Sequence, residues 1–168
     1  MNRPTRSRSQ RRRAVAPPAA LPHRNNGRSE ALVRAHVLVV DDHSDTRDLL
    51  VTILKTDGYD VSVAEDGAVA VDRYRQRRAD IVLMDLYMPR KDGVTAIREL
   101  RGEFPDVVIV AMSGDAGTVW RDALAEARSA GAQLTLRKPI EPWVLLRAPE
   151  GLVAARRSLQ AASLHRSA

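Results

Sequence analysis

The 168-residue sequence contains no cysteine, which excludes a disulfide framework, thiol catalysis and cysteine-ligated zinc, and fits a reducing compartment such as the cytoplasm. Aromatic residues make up only 4% of the chain, too sparse for a platform on which nucleic-acid bases could stack. The four histidines, His23, His36, His43 and His165, lie far apart and show no metal-ligand spacing. No apolar run approaches the roughly 20 residues that a membrane-spanning helix needs. Acidic residues are missing altogether from residues 1–29, which hold Arg3, Arg6, Arg8, Arg11, Arg12, Arg13, Arg24 and Arg28. The formal net charge of +6 is therefore local: without those eight, 19 basic residues face 21 acidic ones, and residues 30–168 carry about −2. Any electrostatic case for binding nucleic acid or an anionic membrane rests on this tail alone.

Residues 1–33 read as a disordered tail rich in Arg, Pro and Ser. The prolines of "APPAALP" block a helix and interrupt the only stretch that could serve as a secretory signal, although an acid-free, Arg- and Ser-rich leader also matches a transit peptide in composition. From His36 the pattern changes. "HVLVV" is a short, continuous apolar strand that ends at Asp41-Asp42. "SDTRDLLVTILKTDG" sets Leu49, Leu50, Ile53 and Leu54 on one helical face, with Ser44 as N-cap and Gly58 as the stop. "YDVSVA" alternates like a partly exposed strand, "GAVAVDRYRQRR" is helical, and "IVLM" is a buried strand. "GVTAIRELRGEF" is a helix, "VVIVAM" a buried strand, "TVWRDALAEARSAGA" a helix and "LTLRK" a last strand. Trp143, Trp120, Tyr59 and Phe104 are assigned to packing.

Five alternations of strand and helix with uninterrupted apolar strands predict an α/β fold: a parallel sheet with helices on both faces. Right-handed crossovers leave a doubly wound open sheet or a barrel, and five units are too few to close an eight-stranded barrel. In an open sheet of this kind, ligands bind beyond the carboxyl ends of the strands. Asp41 and Asp42 follow the first strand, Asp85 the third, Ser113 the fourth and Lys138 the fifth. Any one of these taken alone is an ordinary turn former, helix cap or solvated lysine. Together they bring three carboxylates, a hydroxyl and an ammonium to one rim. Crowded carboxylates repel, and oxygen ligands without Cys or His suit a hard ion such as Mg²⁺. An aspartate carboxylate can act as a nucleophile and form an acyl phosphate, and phosphoryl transfer needs mainly positioning and nearby positive charge. On this reading Asp85 is the nucleophile, with Lys138 and Mg²⁺ supplying charge and Ser113 a hydrogen bond.

"VLVVDDHSDTR", "IVLMDLYMPRKDG", "VIVAMSGD" and "LRKPI", in that order, resemble the receiver domains of two-component response regulators (CheY-like proteins) from about Val37 to at least Pro139. The resemblance implies a flavodoxin-like five-stranded parallel sheet in the order 2-1-3-4-5. It also implies Mg²⁺ held by Asp42 directly, Asp41 largely through water, Asp85 and the backbone carbonyl of Tyr87. Pro89 and Gly93 match the family's turn after the acceptor. A sensor histidine kinase or a histidine phosphotransfer protein would phosphorylate Asp85, and Ser113 would then shift a face that binds a downstream protein. The family usually carries an aromatic residue where this chain has Thr135, which puts aromatic switching in question. The segment between Ser113 and Lys138 is longer than the family's usual length, which suggests an enlarged loop or fourth helix. Pro149 and Gly151 fall inside the expected fifth helix and predict a break near Arg147–Glu150. The Tyr87 ring is a surface aromatic or a shield for the acyl phosphate.

The expected organisation is a tail over 1–33, a receiver domain over 34–148 and a helical extension over 149–168. Neither flank is long enough for a helix-turn-helix or a cyclase, so the expectation is a stand-alone cytoplasmic receiver that signals through proteins and is not itself an enzyme. The alternative is a degenerate receiver that binds partners independently of phosphorylation. An Asp-nucleophile phosphatase would need a second Asp at the position of Tyr87, and is set aside.

Overall fold

Apolar runs of four or five residues with no polar alternation are stable as strands only where both sheet faces are covered. The computed structural model, which describes residues 34–114, 119–147 and 151–152 without the side chains of 119 and 120, covers both faces. The elements alternate: β1 (His36–Val40), α1 (Ser44–Thr56), β2 (Asp60–Ala64), α2 (Gly67–Gln76), β3 (Ile81–Asp85), α3 (Gly93–Glu103), β4 (Ile109–Ser113), α4 (Val119–Ala130) and β5 (Leu134–Arg137). The strands form one parallel sheet in the order β2-β1-β3-β4-β5, the doubly wound arrangement that the sequence implied.

Alternate residues of each strand feed two separate cores. Leu38, Val40, Val82, Met84, Ile109 and Ala111 point to one face and pack with Val71 and Tyr74 of α2, Ile97 and Leu100 of α3, and Leu124 and Ala127 of α4. Val37, Val39, Ile81, Leu83, Val110 and Met112 point to the other and pack with Leu50 and Leu54 of α1, Tyr59 and Leu145. Each fully buried aliphatic side chain contributes roughly 1.5–3 kcal/mol of transfer free energy. The central strands β1, β3 and β4 are buried along their whole length, and β2 at the edge is half-buried. Hence only the strand ends are free to carry polar chemistry.

Several local expectations need correction. Ser44 does not cap α1: the cap position falls on His43, whose side chain makes no capping hydrogen bond, while the Ser44 hydroxyl donates to Asp45. The expected apolar face of α1 is narrower than the spacing suggested, because Leu49 is 59% exposed while Leu50 and Leu54 are buried. Trp143 is not a packing residue, being 63% exposed, whereas Tyr59 and Phe104 are buried as expected. Gly58 does end α1, with φ at +86°, a conformation that disfavours any side chain. Residues 142–147 and 151–152 are helical; the expected break over 147–150, the tail over 1–33, the Ser113–Lys138 loop at 115–118 and the Trp120 side chain lie wholly or partly outside the described residues.

Candidate functional site

Because the five strands are parallel and in register, their C-terminal ends meet at one edge of the sheet: Val40 stands beside Met84, Asp85 beside Met112, and Ser113 beside Arg137. Polar residues placed just past the apolar runs are therefore neighbours. Asp41 follows β1 and is fully buried. Its Oδ1 accepts the His43 N–H at 3.0 Å and its Oδ2 lies 2.6 Å from Lys138 Nζ. Asp42 is more open, with its side chain 25% exposed and Oδ1 2.9 Å from His43 Nδ1. The Arg47 guanidinium of α1 donates to the carbonyls of Asp41 and Asp42 at 2.7 and 3.0 Å and holds the acidic turn against the helix.

Asp85 is the last residue of β3 and only 4% exposed. Its Oδ1 accepts the Leu86 N–H at 2.9 Å, and its Oδ2 lies 3.1 Å from Lys138 Nζ. One ammonium thus bridges two buried carboxylates that come from different strands. Burial pushes the Asp85 carboxyl above its ordinary value; the charge and hydrogen bond of Lys138 oppose that push, and the neighbouring Asp41 adds to it. The net direction is upward. Two carboxylates and one ammonium leave excess negative charge, which is what a cation or an incoming phosphoryl group with its cation would neutralise.

Ser113 ends β4, the strand between those that lead to Asp85 and to Lys138. It is fully buried, and its hydroxyl oxygen has no hydrogen-bond partner among the described residues. A buried hydroxyl left unpaired costs roughly 1–3 kcal/mol, so this oxygen is poised for a partner. The Ser113 carbonyl accepts the Lys138 N–H at 2.8 Å, which sets the lysine's main chain. His43, Thr46, Asp85, Tyr87, Gly114 and Lys138 line a cavity of about 400 Å³ at this edge. Tyr87 is 44% exposed at its rim.

The sequence located Asp41, Asp42, Asp85, Ser113 and Lys138 at strand ends, and the structure brings Asp41, Asp85 and Lys138 into direct contact. Two residues it did not single out for this site are built into it. Gly93, matched only to a turn, packs so tightly that an added Cβ would stand 2.0 Å from the Asp85 carbonyl oxygen, and its N–H donates to the Leu86 carbonyl. His43 shows no metal-ligand spacing with the other histidines, and its position directly after Asp42 is the signal the sequence offers. Asp41, Asp42 and His43 offer ligand-type atoms that all lie within 4.8 Å of one another.

Comparison with known proteins agrees with this geometry. Residues 37–149 match the response regulator receiver domain. The chain is 35% identical over 136 residues to the transcriptional regulatory protein PdtaR of Mycobacterium tuberculosis, covering 79% of this chain and 63% of that protein. It is 34% identical over 114 residues to the DNA-binding response regulator MtrA of Mycobacterium leprae, covering 68% of this chain and 49% of MtrA. The alignments thus span from just under half to just under two thirds of these relatives. Among solved structures, the receiver domain of NtrX from Brucella abortus superposes with a TM-score of 0.65 at 28% identity, covering 70% of this chain and 98% of that one. Strand order, buried acidic edge and sequence match agree: this chain belongs to the response regulator receiver domain family, the signal-receiving module of two-component systems.

Proposed function

We propose that Asp85 is the phosphoacceptor of a cytoplasmic phosphorelay and that residues 34–148 act as a receiver that switches a surface binding a downstream protein. The observation that carries this reading is Lys138 Nζ, 2.6 Å from Asp41 and 3.1 Å from Asp85. It gives the acceptor a fixed positive neighbour at the point where phosphoryl charge would arrive.

The donor is a phosphohistidine of a sensor kinase or a histidine phosphotransfer protein. An oxygen of the Asp85 carboxylate attacks phosphorus in line, an O–P bond forms, the N–P bond breaks, and the electron pair leaves with the imidazole. Lys138 moves from charge partner of the carboxylate to charge partner of the phosphoryl oxygens, and the Ser113 hydroxyl donates the hydrogen bond for which it has no acceptor among the described residues. The residues fit a hard divalent cation: Asp42, Asp85 and the Tyr87 carbonyl would hold Mg²⁺, with Asp41 contributing through water. When bound, Mg²⁺ supplies charge neutralisation for the acceptor and the phosphoryl group. The Tyr87 ring at the cavity rim excludes water from the acyl phosphate.

Binding selectivity for the phosphorylated form requires two conformations that the phosphoryl group distinguishes, and a swing from 1:99 to 99:1 needs about 5.5 kcal/mol of preference. Thr135, where the family usually has an aromatic, accepts a hydrogen bond from Arg128 of α4 at 2.8 Å, so any shift of α4 against β5 acts on this bond and not on a ring.

The test is incubation with acetyl phosphate and Mg²⁺ followed by intact-mass measurement. The wild type is expected to gain one phosphoryl group and Asp85→Ala none, with the adduct decaying faster in Tyr87→Ala. Absence of the adduct from the wild type would overturn phosphoacceptance and favour a binding module that works without it.

A further inference from the structure

His43 stands at the cap position of α1, yet its ring does not cap the helix. The main chain around it is fixed: its N–H donates to Asp41 Oδ1 at 3.0 Å and its carbonyl accepts the Arg47 N–H at 3.1 Å. From this anchored position the ring turns toward the acids. Nδ1 lies 2.9 Å from Asp42 Oδ1 and 3.8 Å from Asp41 Oδ1, while Lys138 occupies the other oxygen of Asp41. The imidazole nitrogen and two carboxylate oxygens therefore converge on the side of Asp41 that the ammonium leaves open.

The separation of His43 from Asp42 matches a coordination sphere. Adjacent ligands of an octahedral ion with bonds of about 2.1 Å stand roughly 3 Å apart, and opposite ones roughly 4.2 Å. The 2.9 Å separation suits adjacent ligands, whereas the 3.8 Å to Asp41 fits neither case and agrees with Asp41 acting through water. A surface hydrogen bond between His43 and Asp42 would give the same 2.9 Å contact. One observation favours a ligand: His43 lines the cavity shared with Asp85 and Lys138.

We propose that His43 is an additional metal ligand, which shifts this receiver's preference from Mg²⁺ toward first-row transition ions, for which Mn²⁺ is the probe. The proposal rests on the reading of Asp42 and its neighbours as a cation site. Carboxylate, carbonyl and water oxygens serve Mg²⁺ and Mn²⁺ alike, but an imidazole nitrogen adds little for Mg²⁺ and more for first-row transition ions. The acidic residues set the charge of the site; His43 sets its softness.

The experiment uses the full chain and Mn²⁺ as probe. Calorimetry gives the affinities for Mn²⁺ and Mg²⁺, and pulsed electron paramagnetic resonance of bound Mn²⁺ shows whether a nitrogen is coordinated. The wild type is expected to show the nitrogen modulation of a bound imidazole. His43→Ala is expected to lose that modulation and to bind Mn²⁺ ~10-fold more weakly, with Mg²⁺ affinity changing no more than ~3-fold. If Asp42→Asn abolishes Mn²⁺ binding while the wild type shows no nitrogen modulation and His43→Ala binds like the wild type, the imidazole is not a ligand and only this proposal falls. If Asp42→Asn binds Mn²⁺ as the wild type does, the cation-site reading fails and takes this proposal with it.

Discussion

At the scale of single residues, Asp85 couples reactivity to stability. Its carboxyl is pushed up by burial, against the pull of Lys138, so the folded protein holds a proton that the unfolded chain has already released. In the window between the ordinary value of 3.8 and the raised one, the folded state binds more protons than the unfolded state. Stability therefore falls as pH rises through this window, and the cost persists at neutral pH. Asp85→Asn is expected to remove that part of the slope and to stabilise the metal-free protein at pH 7 by about 1 kcal/mol, since Lys138 keeps Asp41 as its partner. Urea unfolding across pH checks this; an unchanged or lower stability of Asp85→Asn at pH 7 would show that the buried carboxylate is already compensated.

At the scale of elements, the turn after β3 is where local pattern and long-range packing meet. Arg90 adopts a positive φ of 67°, and its guanidinium pairs with Glu65 at 2.8 Å and with Asp66. Asp66 caps α2 by accepting the Val69 N–H at 2.8 Å. Burial would raise the Asp66 carboxyl, but the Val69 N–H and the Arg90 charge outweigh it and hold it low. The Gly67 N–H donates to the Lys91 carbonyl at 3.1 Å, which completes the tie between the β2–α2 and β3–α3 turns. Gly93→Ala would drive a Cβ into the Asp85 carbonyl, 2.0 Å away, and backbone must move to admit it. The expected result is a stability loss of about 3 kcal/mol with impaired phosphoryl acceptance, read by unfolding and intact mass. Element types were legible because β1, β3 and β4 are buried on both faces and so carry unbroken apolar runs. The cap of α1 falls on His43 and not on Ser44 because the main chain of His43 is pinned to Asp41. Sequence spacing contains no record of that bond.

At the scale of the whole molecule, charge and chemistry are divided. The basic residues that make the chain +6 are concentrated in residues 1–29, whereas the acidic edge lies on the sheet. Deleting residues 1–33 is expected to leave the rate of phosphoryl acceptance from acetyl phosphate unchanged, because each residue assigned to the site lies between Asp41 and Lys138. A slower rate in a truncated chain that unfolds at the wild-type midpoint would give the tail a part in the chemistry. The site was legible for the same reason as the fold: a parallel sheet converts polar residues at the ends of apolar runs into spatial neighbours. Gly93 and His43 were less so, since their importance lies in distances of 2.0 Å to a carbonyl and 2.9 Å to a carboxylate that only folding creates. The most direct measurement is chemical trapping: borohydride reduces an aspartyl phosphate to homoserine, and peptide mass mapping locates the product. After treatment with acetyl phosphate and Mg²⁺, the account predicts homoserine at position 85 alone. Homoserine at another aspartate, or none at position 85, would contradict it.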